Sequence, residues 1–172
     1  WDFANFIWET GRHHLDSLRP DADIPGERFV LQVHINEMLG WGDLGFYLCL
    51  PWPALGGNFI RVVGTEEQKA LLKKKFDSKK PTWACMALTE ALCGSDSSAI
   101  RTRAVRDGDF WVLNGEKLFV TTAKMSLIES DGLLVVWATT DPSGGSKAIK
   151  PFLVEAGTPG VKITKLENKY GL

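Results

Sequence analysis

The chain has almost no charge excess: 20 lysines and arginines stand against 21 aspartates and glutamates, leaving a net −1. Without a global basic field, nothing favours nucleic acid or an anionic membrane surface as a partner. No run of about 18 or more apolar residues occurs, so no segment reads as a membrane span. Cysteine is scarce. Cys49, Cys85 and Cys93 form no metal-type pair, and their odd number argues against a disulfide framework and fits a reducing compartment. No Gly-x-Gly-x-x-Gly fingerprint follows a strand, and no Gly-Lys-Ser/Thr phosphate loop or Gly-x-Ser-x-Gly elbow is present. The common nucleotide folds and the usual nucleophilic serine are thereby removed. Histidine is equally sparse. His13 and His14, near Asp16, would point about 100° apart on a helix, which does not suit one shared metal ion. His34 sits among apolar residues and reads as a packed, hydrogen-bonded core residue. No signal peptide is visible, although a chain that opens on Trp1 rather than Met leaves room for a leader already removed.

What is present is ordinary for a globular chain: 172 residues, 44% apolar and 24% charged, enough for one large domain or two small ones. Seven tryptophans suit cores and flat-ring ligand pockets alike. The two halves differ in period. Residues 1–80 read as helical. Phe3, Phe6, Ile7, His14, Leu15 and Leu18 share one face until Pro20, and Leu31, Ile35, Met38 and Leu39 form a second stripe that Gly40 should stop. Trp41 to Leu50 suits a further short helix, and Ala54 to Val63 another, interrupted by Gly56-Gly57. Thr65 and Gln68 make a capping box, with Glu66 and Glu67 in the first turn where the helix dipole favours them. The basic cluster Lys73-Lys74-Lys75 with Lys79-Lys80 reads as the solvated end of that helix.

From residue 81 the pattern turns to strands: Thr82–Thr89, Ile100–Val105, Phe110–Leu113, Lys117–Thr121, Leu133–Thr139, Ile149–Glu155 and Val161–Leu166. Arg106 to Asp109 supplies one turn, and Asn114-Gly115 is a hairpin signal because both residues tolerate positive φ. The expected architecture is α+β, a helical domain over 1–80 and a small antiparallel sheet domain over 81–172. Two segments stand out, MALTEALCGSD (86–96) and LNGEKLFVTTA (113–123). Each is a strand ending in hydroxyl-bearing and small residues. Side by side, they would present Thr89, Ser95, Thr121 and nearby amides to a planar, polar, phosphorylated ligand, although ordinary turn chemistry explains the same residues. Cys93 has no assignable basic partner and reads as a bystander rather than a reactive thiol.

In order and spacing, GTEEQK, ALTE with GSD, AVRDGDFWVLNGEKLFVTTA, the apolar strand before TTD, KAIKPFLVE, TPGV and ENKYGL resemble the acyl-CoA dehydrogenase family. The match is strongest over residues 64–172, and NEMLGWGDLG is similar to the helix that precedes it. The resemblance implies an N-terminal helical domain, a middle β-barrel or sandwich domain, and FAD lying between that domain and a C-terminal helical one. It places Met86, Leu88 and Thr89 along the flavin, with Thr89 and the Leu88 backbone at the pyrimidine end. Gly94 and Ser95 match positions near the pyrophosphate, with Ser95 also near the CoA part of the substrate. Phe119, Val120 and Thr121 match a segment where an aromatic packs on the ring and a threonine sits near its reactive edge. Ser146 falls roughly where the family contacts CoA.

The reaction so implied is α,β-dehydrogenation of an acyl-CoA thioester, with electrons passing to an electron-transferring flavoprotein. The family's carboxylate base belongs to the C-terminal domain, so the chain is expected to hold two of three domains and no base; Glu90 reads as structural. A homodimer or homotetramer is implied, in the cytoplasm or, in a eukaryote, the mitochondrial matrix. The family's Pro-Gly-Ala between Glu90 and Gly94 is here Ala91-Leu92-Cys93, a less rigid turn in which a positive φ at Leu92 would be strained. The usual Thr-Asn is Thr121-Thr122, and Ala123 to Ser130 is about four residues longer, as surface connections tolerate. These departures keep open a flavin monooxygenase or oxidase on the same fold. A non-catalytic binding module is a third reading if the native protein ends near Leu172.

Overall fold

The computed structural model describes residues 25–77 and 80–169. The helix expected over residues 1–18, with His13, His14 and Asp16, lies outside the described residues. Three helices follow: α1 (Pro25–Leu48), α2 (Ala54–Val63) and α3 (Glu66–Phe76). Proline opens α1, where its missing N–H costs nothing. Gly40 does not stop this helix. The break comes at Asp43, which leaves helical geometry with φ −167° and ψ 110°. Its carboxylate accepts the Phe46 N–H at 2.7 Å and so caps the second piece. The Tyr47 hydroxyl reaches back to Asn36 Oδ1 at 2.6 Å across the break, so α1 consists of two helical pieces, as expected, that part at Asp43 rather than at Gly40. Gly40-Trp41-Gly42-Asp43-Leu44-Gly45 has fingerprint spacing but lies across this kink, with no strand-to-helix turn to cradle a phosphate. His34 corrects the core assignment. Its side chain is 68% exposed, 3.9 Å from the Glu37 carboxylate, on a stretch of helix where the apolar Val33 and Met38 are exposed as well.

Helix α2 keeps its expected bounds, and its glycines are what allow it to sit where it does. A Cβ on Gly56 would stand 2.2 Å from the Cys85 carbonyl oxygen, so only glycine lets the helix lie directly on the first strand. The capping box of α3 forms as read: Gln68 N–H donates to Thr65 Oγ1 at 3.3 Å, and Thr65 N–H to Gln68 Oε1 at 3.0 Å. The basic end of α3 is only partly solvated. Lys73 and Lys74 are exposed, but Lys75 is buried against Asp131 at 2.6 Å and Glu155 at 3.2 Å.

The sheet contains β1 (Ala84–Ala87), β2 (Arg103–Asp107), β3 (Phe110–Asn114), β4 (Leu133–Thr139) and β5 (Ile149–Glu155). It is mixed, which corrects the antiparallel expectation. Strands β1 and β4 run parallel, β2 joins β4 in parallel at Arg103–Thr139, and the β2–β3 and β4–β5 pairs are antiparallel. The long connection from β1 to β4 carries the β2–β3 hairpin and a helical turn, enough chain to bring β4 back in the same direction. The hairpin turns at Gly108, with φ +59°, and not at Asn114-Gly115. Gly115 serves close approach instead, since a Cβ there would stand 2.4 Å from Thr102 Oγ1. Residues 117–121 and 161–166, expected as strands, form no ladder.

Residues 123–130 are not a loose surface connection. Met125–Glu129 forms a π-helical turn whose Ser126 is fully buried, its hydroxyl 3.0 Å from the Trp83 carbonyl and 2.9 Å from that of Leu133. One sheet face packs Ala84, Leu133 and Val135 against Ile60, Leu72 and Phe76 of α2 and α3. The other packs Cys85, Ala87, Leu134, Val136 and Val154 against Leu127, with Leu113, Val120 and Ile163 at the margin. Alternation along β1 and β4 sends successive side chains to these two cores. Among the described residues no helix is long and apolar enough to cross a membrane, and no group of three or more His, Cys, Asp or Glu side chains is placed to hold a metal.

Candidate functional site

Among the described residues strand β1 pairs only with β4, so its other edge has no described strand neighbour. Beyond Ala87 the chain leaves the ladder through Leu88 and Thr89 and enters a tight turn, Glu90 to Cys93. Glu90 N–H donates to the Cys93 carbonyl at 2.8 Å, and Cys93 N–H to that of Glu90 at 3.1 Å. Neither Ala91 nor Leu92 adopts positive φ, so the substituted turn carries no left-handed strain. The Cys93 thiol is buried, donating to the Asp96 carbonyl at 3.0 Å. Burial and then the neighbouring Glu90 charge push its pKa up, so it is not a thiolate nucleophile. All three cysteines are free thiols.

The crossing segment 115–121 lies over this exit. Leu118 N–H donates to the Thr89 carbonyl at 2.8 Å. Lys117 Nζ donates to the Leu88 carbonyl at 2.9 Å and to Glu90 Oε1 at 2.8 Å. Glu90 also accepts from Arg101 N–H at 2.8 Å, Thr102 N–H at 3.0 Å and the Thr102 hydroxyl at 2.6 Å. Burial opposes ionisation of this carboxyl, but the Lys117, Thr102 and Arg101 donors outweigh it and bring its pKa to about 2. Glu90 is therefore a fixed anion with its lone pairs engaged, not a free base.

Two backbone features aim the next residues. Phe119 (φ +55°) and Thr122 (φ +60°) both lie in the left-handed region. Phe119 is thrown outward, 58% exposed, with Lys169 Nζ 5.3 Å from the ring centroid. Val120 turns the other way, into the core beside Cys85 and Ala87, so only its backbone is offered outward. Thr121 is exposed, and its carbonyl accepts the Thr122 hydroxyl at 2.7 Å. The half-buried Thr89 hydroxyl makes no hydrogen bond to any described group. The Met86 side chain faces the opposite way, packed with Phe59 and Leu71 against the helical core.

Gly94 and Ser95 follow the turn, both exposed, and a Cβ on Gly94 would meet nothing within 4 Å. The fold does not need glycine there. Ser146 lies on the 3-10 turn Gly145–Ala148, which packs against Ser97–Ala99 just past Ser95. Leu88, Thr89, Phe119 and Thr121 thus gather at one edge, with Ser95 and Ser146 near a second turn. A cleft of about 290 Å³, lined by Glu90, Leu92, Arg101, Gly115, Glu116 and Leu118, has neither group in its lining.

The acyl-CoA dehydrogenase middle-domain model matches residues 85–172, just over half of the chain. This chain belongs to the acyl-CoA dehydrogenase family. The short/branched chain specific acyl-CoA dehydrogenase, mitochondrial, of Bos taurus is 42% identical over 148 residues, covering 86% of this chain and 33% of its own. The glutaryl-CoA dehydrogenase of Mycobacterium smegmatis, solved in complex with FADH2, superposes with a TM-score of 0.56 at 34% identity, over 67% of this chain and 27% of that one. The prolyl acyl carrier protein oxidase AnaB superposes with a TM-score of 0.61 at 32% identity, over 73% and 32%. The chain spans about a third of the length of the curated relatives it matches.

Within this family fold, the residue that sequence reasoning undervalued is Lys117. Its signal was present as a cation in one exceptional segment and an anion, Glu90, in the other. Nothing in the sequence pairs them, because 27 positions separate the two and no periodicity links them.

Proposed function

We propose that this chain forms the flavin-bearing front portion of an FAD-dependent acyl-CoA dehydrogenase, divided near residue 80 into a helical and a β domain. The gathering of Leu88, Thr89, Phe119 and Thr121 at one unpaired strand edge, through the Lys117 and Leu118 hydrogen bonds, supports it most directly. The residues present suit a flavin. An outward aromatic offers a face for the ring, the free Thr89 hydroxyl offers a polar partner, and Gly94 leaves open space for a phosphate. When bound, FAD supplies a two-electron acceptor for α,β-dehydrogenation of an acyl-CoA thioester. The chain's own part is to orient that group: Thr89 and the Leu88 backbone at the pyrimidine end, Phe119 and Val120 along the ring, Thr121 near its reactive edge. Ser95 and Ser146 contact the CoA portion of the substrate, and electrons pass on to an electron-transferring flavoprotein.

The test uses protein expressed from the complete reading frame. It should purify yellow, or gain flavin absorbance on titration with FAD, and then bleach on adding a saturated acyl-CoA. A preparation that stays colourless with FAD in excess removes the reading. Likeness to the AnaB oxidase favours a second reading, an oxygen-using flavoenzyme on the same fold. Stopped-flow mixing of the reduced enzyme with oxygen separates the two: slow reoxidation marks a dehydrogenase, rapid reoxidation an oxidase.

A further inference from the structure

We propose that Glu90 and Lys117 are positioning residues, whose buried ion pair locks the segment bearing Phe119 and Thr121 onto the exit of β1 and so holds two walls of the flavin site in one register. The inference rests on the flavin reading above and adds the device that assembles that site.

The segment needs such a device. Residues 115–120 belong to no strand, and one backbone hydrogen bond, from Leu118 N–H to the Thr89 carbonyl, joins them to the β1 exit. Immediately afterwards Phe119 takes a left-handed conformation, which a bulky residue keeps only where its surroundings enforce it. The enforcement lies two residues earlier. Both charged side chains are only 9% exposed, and each contacts more than its partner. The Lys117 ammonium donates to the Leu88 carbonyl, while the Glu90 carboxylate gathers the Arg101 and Thr102 N–H groups at the approach to β2. Three segments distant in sequence therefore meet on one ion pair.

The bonding also selects what the site offers. The Leu88 and Thr89 carbonyls are both engaged from the crossing segment, while the Thr89 hydroxyl is left without a partner. A buried ion pair is a poor device for stability alone, since well-packed apolar residues often do as well; fixing a register is its better-attested use. Here the register fixed is that of two segments that share no ladder.

Stability and positioning separate in a double variant. In full-length protein, Lys117→Met leaves the Glu90 anion without its cation, and Glu90→Gln leaves Lys117 without its anion. Glu90→Gln/Lys117→Met removes both charges at nearly constant shape. FAD dissociation constants, the flavin absorbance spectrum and the thermal midpoint of the apoprotein are measured for wild type, both single variants, the double variant and Lys117→Arg. The double variant should recover part of the thermal midpoint that the singles lose, because it leaves no unpaired charge although the glutamine amide nitrogen cannot accept from the Arg101 or Thr102 donors. It should still bind FAD roughly ten- to a hundred-fold more weakly, the range found when groups supporting a ligand's contacts are removed, and with a displaced spectrum. Lys117→Arg, which keeps the charge, should restore affinity and spectrum in part. A double variant whose affinity and spectrum return together with its stability overturns the inference, as do variants that all bind FAD like wild type. If wild type itself binds no FAD, the flavin reading fails and this one falls with it. If a single variant does not fold, the double variant and Lys117→Arg still decide.

Discussion

At the scale of single residues, Glu90 and Gly94 differ in what the fold asks of them. Glu90 is held ionised down to about pH 2, against an ordinary value of 4.5, by donors from two segments. A depressed folded-state value means that its contribution is complete above pH 4.5 and is lost as pH falls through about 2. Acid unfolding followed by circular dichroism should show Glu90→Gln less stable than wild type at pH 7, with the gap closing between pH 4.5 and 2. An unchanging gap would mean that the charge is not what the donors stabilise. Gly94 behaves oppositely. Because a Cβ there meets nothing, Gly94→Ala should leave the thermal midpoint close to wild type, within about 0.5 kcal/mol. The same substitution should weaken FAD binding if this backbone approaches the pyrophosphate, which a flavin titration of the full-length protein would read directly.

At the scale of elements, the sharpest case is the contact of α2 with β1. Alanine is the better helix former by about 1 kcal/mol, so propensity alone predicts that Gly56→Ala stabilises the protein. The structure predicts the reverse. The new methyl would stand 2.2 Å from a backbone oxygen that cannot rotate away, and forced separation of packed elements costs about 1–3 kcal/mol. Denaturant unfolding gives the sign. The start of α3 supplies a milder test: Thr65→Ala removes the side-chain half of the capping box and should cost about 1 kcal/mol by the same measurement. The π-helical turn at Met125–Glu129 shows how an insertion becomes structure. It buries Ser126 and Leu127 beneath the start of β4, where the insertion reads in sequence as a surface loop.

For the molecule as a whole, α2 and α3 share one of the two cores with the sheet, and Lys75 of α3 ties them electrostatically. Burial works against its charge, but Asp131 and Glu155 outweigh that and raise its pKa. A raised value stabilises the fold below the ordinary lysine value of 10.5 and is lost as pH rises through the folded one. Both carboxylates are well exposed, at 80% and 52%, so they remain solvated when the lysine is removed. Lys75→Met should therefore cost no more than about 1 kcal/mol at neutral pH, far below the roughly 3–5 kcal/mol of a buried charge left unpaired. The alkaline fall in the wild-type thermal midpoint should shrink in this variant. A neutral-pH loss of several kcal/mol would show that the carboxylates depend on Lys75 more than their exposure allows.

Sequence alone determined whatever depends on neighbours in the chain. The capping box at Thr65, the bounds of α2, β4 and β5, the turn near Gly108 and the ordered motifs of the family all rest on spacing over a few residues. Two candidate segments were legible for the same reason, as apolar runs ending in hydroxyls. Tertiary structure decided what depends on residues far apart. Strand direction followed from the path of a long connection, and Asn114-Gly115 became a close approach to Thr102 rather than a hairpin. His34 went to solvent together with its apolar neighbours Val33 and Met38, because no other described element covers that stretch of α1. Glu90 and Lys117 met because the crossing segment folds over the β1 exit. Local spacing encodes local hydrogen bonds, whereas an ion pair between distant segments exists only once packing has brought the two charges into the same dry space.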